Sequence, residues 1–225
     1  MGRVIAIDGP SGAGKSTVSK LIAERLGFEF LDTGALYRAA ALHLRRKGLD
    51  ENNTDDDIKR ALNGISVFFK EGRVYLKENS ELYPGEDVSE AIRTTEAGHY
   101  ASVFSARKAV RDFLFQVQRD AAIRSDIVAE GRDMTTVVFP DAWKKFYLDA
   151  SEEGRAKRRY LQLKEKGIEI TMEEALRDVR ERDERDSKRD IAPLKKADDA
   201  VCIDTTDLSL NEVIEKILKA IGDRR

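Results

Sequence analysis

Residues Arg3 to Thr17 read RVIAIDGPSGAGKST. The run from Arg3 to Asp8 is short, branched and mostly apolar, and Gly9-Pro10 halts it, which is the pattern of a buried strand. Beyond Lys15 the apolar residues Val18, Leu21, Ile22 and Leu26 fall at i, i+3, i+4 and i+8, one face of a helix that Gly27 is placed to stop. Between strand and helix, Gly9, Pro10, Ser11, Gly12, Ala13, Gly14, Lys15 and Ser16 satisfy G-x-x-x-x-G-K-[ST]. The three glycines let successive backbone N–H groups approach phosphate oxygens. The helix that follows adds the partial positive charge of its N-terminus. Lys15 supplies a mobile cation for β- and γ-phosphates, and Ser16 a hydroxyl for Mg²⁺. The motif stands straight after a strand and opens an amphipathic helix, where that mechanism needs it. A nucleoside triphosphate is expected to bind here.

Working outward, Phe28 to Leu31 predicts a second strand and Ala35 to Arg46 a second helix ending near Gly48. Strand–helix alternation of this kind implies a parallel sheet covered by helices. The pattern then changes. Ile65 to Phe69 and Val74 to Leu76 flank Glu71-Gly72 as a β-hairpin, a patch with Tyr83-Pro84-Gly85 follows, and a helix runs from about Arg107 to Arg124. Strands at Ile127–Ala129 and Lys145–Leu148 restore the first rhythm. Charged helices at about Glu152–Lys166 and Thr171–Arg185, a strand at Asp199–Ile203 and a helix at Leu210–Ile221 complete the chain. No repeat, linker or low-complexity tract divides it, so one α/β domain with an antiparallel insertion is expected.

The 225 residues are 41% hydrophobic and 36% charged with a formal net charge of −2, which suits a soluble globular protein with a core that needs no disulfide. The lone Cys202 fits a reducing, cytoplasmic location. No apolar run is long enough for a transmembrane helix, and the Met1 end lacks the pattern of a signal peptide. A net charge near zero argues against nucleic acid or an acidic membrane as partner. A monomer is expected, because no apolar heptad seam is visible.

The sequence lacks the N-K-x-D of guanine-specific switches and an L-S-G-G-Q stretch. Phe146 to Asp149 reads either as a Walker B strand or as a core strand with a polar end, and Asp149 is given no metal role. The arginines say more. Arg38 follows DTGALY, and Arg132 lies in EGRD just past a strand's C-terminal end, where open α/β sheets bind ligands. Arg155, Arg158 and Arg159 share one helix face, as do Arg182, Arg185 and Arg189. From Arg177 to Asp190 six basic residues alternate with six acidic ones, which is also how a solvated, salt-laced helix reads. Only His43 and His99 occur, neither beside a motif. A hydroxyl acceptor would benefit from a base, whereas a phosphate monoester, with its second pKa near 6, needs none. What a monoester needs is relief from repulsion between two anions, which guanidinium forks supply. Many arginines and no evident base therefore point to phosphoryl transfer onto a phosphate.

At this point the chain resembles the bacterial cytidylate kinases, almost end to end. The resemblance lies in IDGPSGAGKST (Ile7–Thr17), LDTGALYR (Leu31–Arg38), GEDVSEAIRT (Gly85–Thr94), AEGRDMTTVVFPDA (Ala129–Ala142) and ERDERDSKR (Glu181–Arg189). It implies a P-loop NTPase fold of three α/β/α layers with a five-stranded parallel sheet. A nucleoside-monophosphate-binding insert would cover roughly 62–97 and a helical lid roughly 152–186, within a single domain, 1–225. It implies that Gly9 to Thr17 bind ATP, with Arg155, Arg158 and Arg159 on the lid above it. Thr33 (commonly Ser in relatives), Tyr37, Arg38 and Arg132 would approach the acceptor's sugar and phosphate. Ser102, Arg111, Asp133 and Arg189 would approach the cytosine, and Arg182 and Asp186 the phosphate and ribose. Ser16, often Gly in relatives, restores the general Walker pattern. Lys15, Arg38, Arg132 and Arg182 would then be the catalytic set, with Mg²⁺ and ATP as donor and CMP or dCMP as acceptor. Cytosine offers an amine donor beside N3 and O2 acceptors, and uracil reverses the polarity at two positions, so CMP and dCMP should lead UMP. Left as alternatives are a kinase of UMP or shikimate type and a nucleotide-dependent binding module without catalysis.

Overall fold

Val4 to Asp8 forms β1 with all five residues buried, which is why its apolar residues need no alternation. The computed structural model describes residues 2–70, 72–78 and 85–222. After β1 come α1 (Lys15–Leu26), β2 (Glu29–Asp32), α2 (Thr33–Arg46), α3 (Asp55–Leu62), β3 (Ile65–Lys70) and β4 (Arg73–Glu78). Then follow β5 (Glu86–Asp87), α4 (Thr95–Phe104), α5 (Lys108–Arg124), β6 (Ile127–Gly131) and β7 (Lys144–Asp149). The chain closes with α6 (Glu152–Glu165), α7 (Met172–Lys188), β8 (Val201–Asp204) and α8 (Leu210–Gly222). The Tyr83-Pro84 patch and Glu71 of the hairpin turn lie outside the described residues.

The chain divides into two compact units, one made of residues 1–31 and 124–225, the other of 32–123. The first holds a five-stranded parallel sheet in the order β2-β6-β1-β7-β8, the sheet expected for the three-layer α/β/α class. β1 sits at its centre, paired in parallel with β6 from Val4–Ile127 to Asp8–Gly131 and with β7 from Ile5–Lys144 to Asp8–Tyr147. One face is closed by α1 and α8. Val18, Ile22, Val213, Ile214 and Ile217 pack there on Ile5, Ile7, Phe146, Leu148 and Ile203. Each fully buried side chain of this size contributes about 1.5–3 kcal/mol. Phe146 to Asp149 is thus a core strand with a polar end, and Asp149 accepts from the amide of Ala150. Gly27, at φ +68°, ends α1 by donating its amide back to the helix.

The second unit packs α2 against α4, β3 and β4, with the three strands ordered β3-β4-β5. The hairpin follows the sequence expectation: Ile65, Val67, Val74 and Leu76 are buried, while Phe68 and Tyr75 stack on the other side. Two helices were not anticipated. α3 is short and rests on a capping box, in which Thr54 accepts from the Asp57 amide and Asp57 from that of Thr54. α4 carries a short stripe, Ala97, Tyr100, Ala101 and Phe104 at i, i+3, i+4 and i+7, with Gly98 inside the helix. Arg107, expected inside the following helix, precedes it and staples α3, donating to Asp55 Oδ1 (2.6 Å) and to the Asn53 carbonyl (2.7 Å).

Candidate active site

β1 ends at Asp8, and the chain leaves the sheet at once. A Cβ on Gly9 (φ +151°) would stand 2.0 Å from the Leu148 carbonyl oxygen of β7, so only glycine permits that exit. Gly12 (φ +77°) is walled by Arg155, whose Cβ lies 2.9 Å from where a Cβ on the glycine would be. Lys15 opens α1 and is buried, its Nζ donating to the Pro10 carbonyl at 2.7 Å. Burial first, and then the Arg132 guanidinium, push its pKa down to about 7.

Arg132 is the first residue past β6. Its Nε donates to Asp186 Oδ2 at 2.7 Å, and both side chains are largely buried. Burial works against ionisation of Asp186, but Arg132 and Arg182 beside it hold its carboxyl below the usual range. Lys15 feels Arg132, Glu130, Arg182 and Asp186, so the P-loop lysine and the arginines of EGRD and ERDERD form one electrostatic cluster. Next to it Asp133, 2% exposed, faces Arg189, with Nη2 3.6 Å from Oδ1. Arg189 ends α7 and is held by the Ala192 carbonyl at 2.7 Å. Clustered cations braced by buried carboxylates, with a backbone cradle beside them, are suited to multiply charged phosphate.

The three arginines of α6 have different partners. Arg155 donates to the carbonyls of Ala150 and Ser11, each at 3.0 Å, and is ion-paired with Asp183. Arg158 grips the loop after β8 through Thr205 Oγ1 (2.9 Å) and its carbonyl (2.5 Å). Arg159 turns to α7 and donates to Asp178 at 2.8 Å rather than to the P-loop. In the second unit, Arg38 pairs with Asp32 at 3.1 Å, and Asp32 also caps α2. Arg111 and Tyr37, both buried, lie together with the guanidinium 5.8 Å from the ring centroid. Thr33 is buried at the start of α2. Ser102 Oγ is buried and makes no hydrogen bond among the described residues.

Residues 5–223 match the sequence profile of the cytidylate kinases. A cytidylate kinase of Thermodesulfovibrio yellowstonii is 55% identical over 99% of both chains. One of Thermotoga maritima is 46% identical over 100% of this chain and 99% of its own. The chain belongs to the cytidylate kinase family. Among solved structures, an uncharacterized protein from Eubacterium ventriosum aligns over 99% of both chains with a TM-score of 0.50 at 17% identity, a likeness of fold alone. As a cytidylate kinase the chain is an enzyme, a P-loop phosphotransferase that phosphorylates cytidylate.

Two carboxylates beside these residues, Glu130 in EGRD and Asp183 in ERDERD, have roles the motifs alone do not state. Glu130, buried at the end of β6, accepts from Ser16 Oγ at 2.5 Å. Its signal is positional: a carboxylate two residues before Arg132, at the carboxyl end of a strand beside the P-loop strand. Asp183 accepts from the Ser11 amide at 3.1 Å and pairs with Arg155, so both backbone groups of Ser11 are held by one ion pair. In the sequence Asp183 is hidden within the alternating charges of ERDERD.

Proposed function

We propose that the enzyme transfers the ATP γ-phosphoryl group to the phosphate of CMP or dCMP, giving ADP and the diphosphate. The observation that carries this reading is the cluster of Lys15, Arg132, Arg182 and Asp186, whose cations stand beside the phosphate cradle with no histidine among them. An acceptor phosphate is already ionised near neutral pH, so the reaction calls for positioning and charge compensation rather than a base. Lys15 would follow the β- and γ-phosphates, while Arg132 and Arg182 offset charge in the transition state. Gly9 to Thr17 would hold ATP, and Arg155, Arg158 and Arg159 would brace the lid over it.

For the acceptor we assign Asp133 and Arg189 to the cytosine and Asp186 to the ribose. From the second unit we assign Ser102 and Arg111 to the cytosine, and Thr33, Tyr37 and Arg38 to sugar and phosphate. Asp133 accepts the exocyclic amine and the arginines donate to N3 and O2, the pattern that rejects uracil. The hydroxyl of Ser16 and the carboxylate of Glu130, 2.5 Å apart, are hard oxygen donors of the kind Mg²⁺ takes. Bound there with the nucleotide, Mg²⁺ would neutralise charge on the β- and γ-oxygens. We read the chain as a cytoplasmic monomer of one kinase domain, with an insert near 62–97 and a lid near 152–186, and with no nucleic-acid or membrane partner.

A panel of CMP, dCMP, UMP, AMP and shikimate, each with magnesium-ATP, tests the reading by acceptor-stimulated ADP release. CMP and dCMP should give at least ~100-fold higher kcat/KM than the others. Equal stimulation by UMP would overturn the base assignment, and none by CMP the reading itself.

A further inference from the structure

Asp133 starts a π-helical turn over Met134–Val138. An Asp in that position ordinarily turns its carboxylate onto the first amides of the turn it begins. Here no side-chain bond from Asp133 caps the turn. Instead the Met134 amide, the Thr135 amide and the Thr135 hydroxyl all donate to Asp8, at 2.9, 2.7 and 2.6 Å. Asp8 is fully buried, lies opposite Gly131 in the β1–β6 register, and is the last residue before the P-loop. The Asp133 carboxylate meanwhile lies 3.6 Å from the Arg189 guanidinium.

We propose that Asp8 is a specificity-positioning residue: it caps the turn in Asp133's place and so keeps the Asp133 carboxylate directed toward the base of the acceptor. The inference rests on the reading that Asp133 accepts the cytosine amine. Buried amides demand an acceptor. If Asp8 cannot serve, the carboxylate at the head of the turn is the group placed to take over, and it then leaves the base. Asp8 touches no reacting atom and acts only through the GRD segment.

The test compares kcat/KM for CMP and for UMP in the wild type, Asp8→Asn, Asp133→Ala and the double variant. Asn can accept on one side only and sets an N–H against the other donor. Asp8→Asn should lower the CMP:UMP ratio by about tenfold, through KM for CMP, with KM for ATP within about twofold of wild type. In the Asp133→Ala background Asp8→Asn should change the ratio no further. A ratio that stays at the wild-type value in Asp8→Asn while Asp133→Ala collapses it overturns the proposal, as does an equal extra loss in the double variant. A wild-type ratio in Asp133→Ala overturns the assignment of Asp133, and the role of Asp8 falls with it. Should Asp8→Asn fail to fold, Asp8→Ser decides, with Thr135→Val as its control. Thr135→Val leaves both amides on Asp8, so it should keep the wild-type ratio, whereas Asp8→Ser, whose hydroxyl can accept from one amide only, should lower it, and an unchanged ratio in Asp8→Ser refutes the idea.

Discussion

Lys15 is held by the Pro10 carbonyl and repelled by Arg132, and burial first of all suppresses its charge inside the site. Replacing it with methionine keeps the stem and removes the cation. Steady-state kinetics at saturating substrates should show kcat down by ~10³-fold, with the fold intact. Asp186→Asn is a different case, because it leaves Arg132 buried against a neutral amide. Urea unfolding should report a loss of about 3 kcal/mol, and KM for CMP should rise. Lys15 was legible because it sits in a motif whose spacing states its chemistry, and Arg132 because it stands just past a strand's carboxyl end. Glu130, Asp8 and Asp183 were not, since a carboxylate becomes informative only once its donors are known, and Ser16, Met134 and the Ser11 amide, which donate to them, lie from 114 to 172 residues away in sequence.

The helices α6 and α7 are bound to one another by ion pairs, Arg155 with Asp183, Arg159 with Asp178 and Arg180 with Glu152, and to the P-loop by hydrogen bonds to the Ser11 backbone. The Arg180 pair is exposed and worth little, whereas Arg155 is buried and holds the Ser11 carbonyl as well. Arg155→Met should therefore raise KM for ATP and speed hydrogen exchange at the Ser11 amide, and Arg180→Met should do neither. The start of α7 depends on the Thr171–Glu174 capping box, and Thr171→Ala should lower stability by about 1 kcal/mol in thermal unfolding. Element boundaries were legible where periodicity and punctuation agreed, as in α1 with Gly27. α4 was hard to read because its stripe of Ala97, Tyr100, Ala101 and Phe104 is short, rests partly on alanines and shares the helix with Gly98, and it packs on α2. For α3 the Thr54–Asp57 spacing was a usable signal.

Over the whole molecule two kinds of carboxylate set the response to pH. Asp55, Asp57, Glu86, Asp126, Glu174 and Asp204 among others are held below their ordinary range, mostly by hydrogen bonds from neighbouring donors and ion pairs, with burial the main opposing influence at Asp55. Their contribution is present above about pH 4 and is lost as pH falls through their folded values. Asp8 works the other way, since burial raises its pKa from 3.8 to about 6. The folded chain then binds that proton more tightly than the unfolded one, so its contribution to stability declines as pH rises from about 4 to 6. The shift corresponds to ~3 kcal/mol. In urea unfolding, the stability of Asp8→Asn relative to wild type should climb across that window and level off above it. A difference that stays flat from pH 4 to 7 would contradict a raised pKa.

The centre of the sheet is assembled late. β1 emerges first, yet its two neighbours begin at Ile127 and Lys144, and the residues between include the contiguous unit 32–123, whose elements can join as they appear. At roughly 5–20 residues per second of synthesis, the apolar Val4–Ile7 segment waits on the order of ten seconds for a strand to pair with. The chain thus leaves the ribosome with a fully buried apolar strand unprotected. Its yield in a cell depends on how well that interval is shielded, and a slower translation rate over residues 32–126 should increase its demand for chaperones.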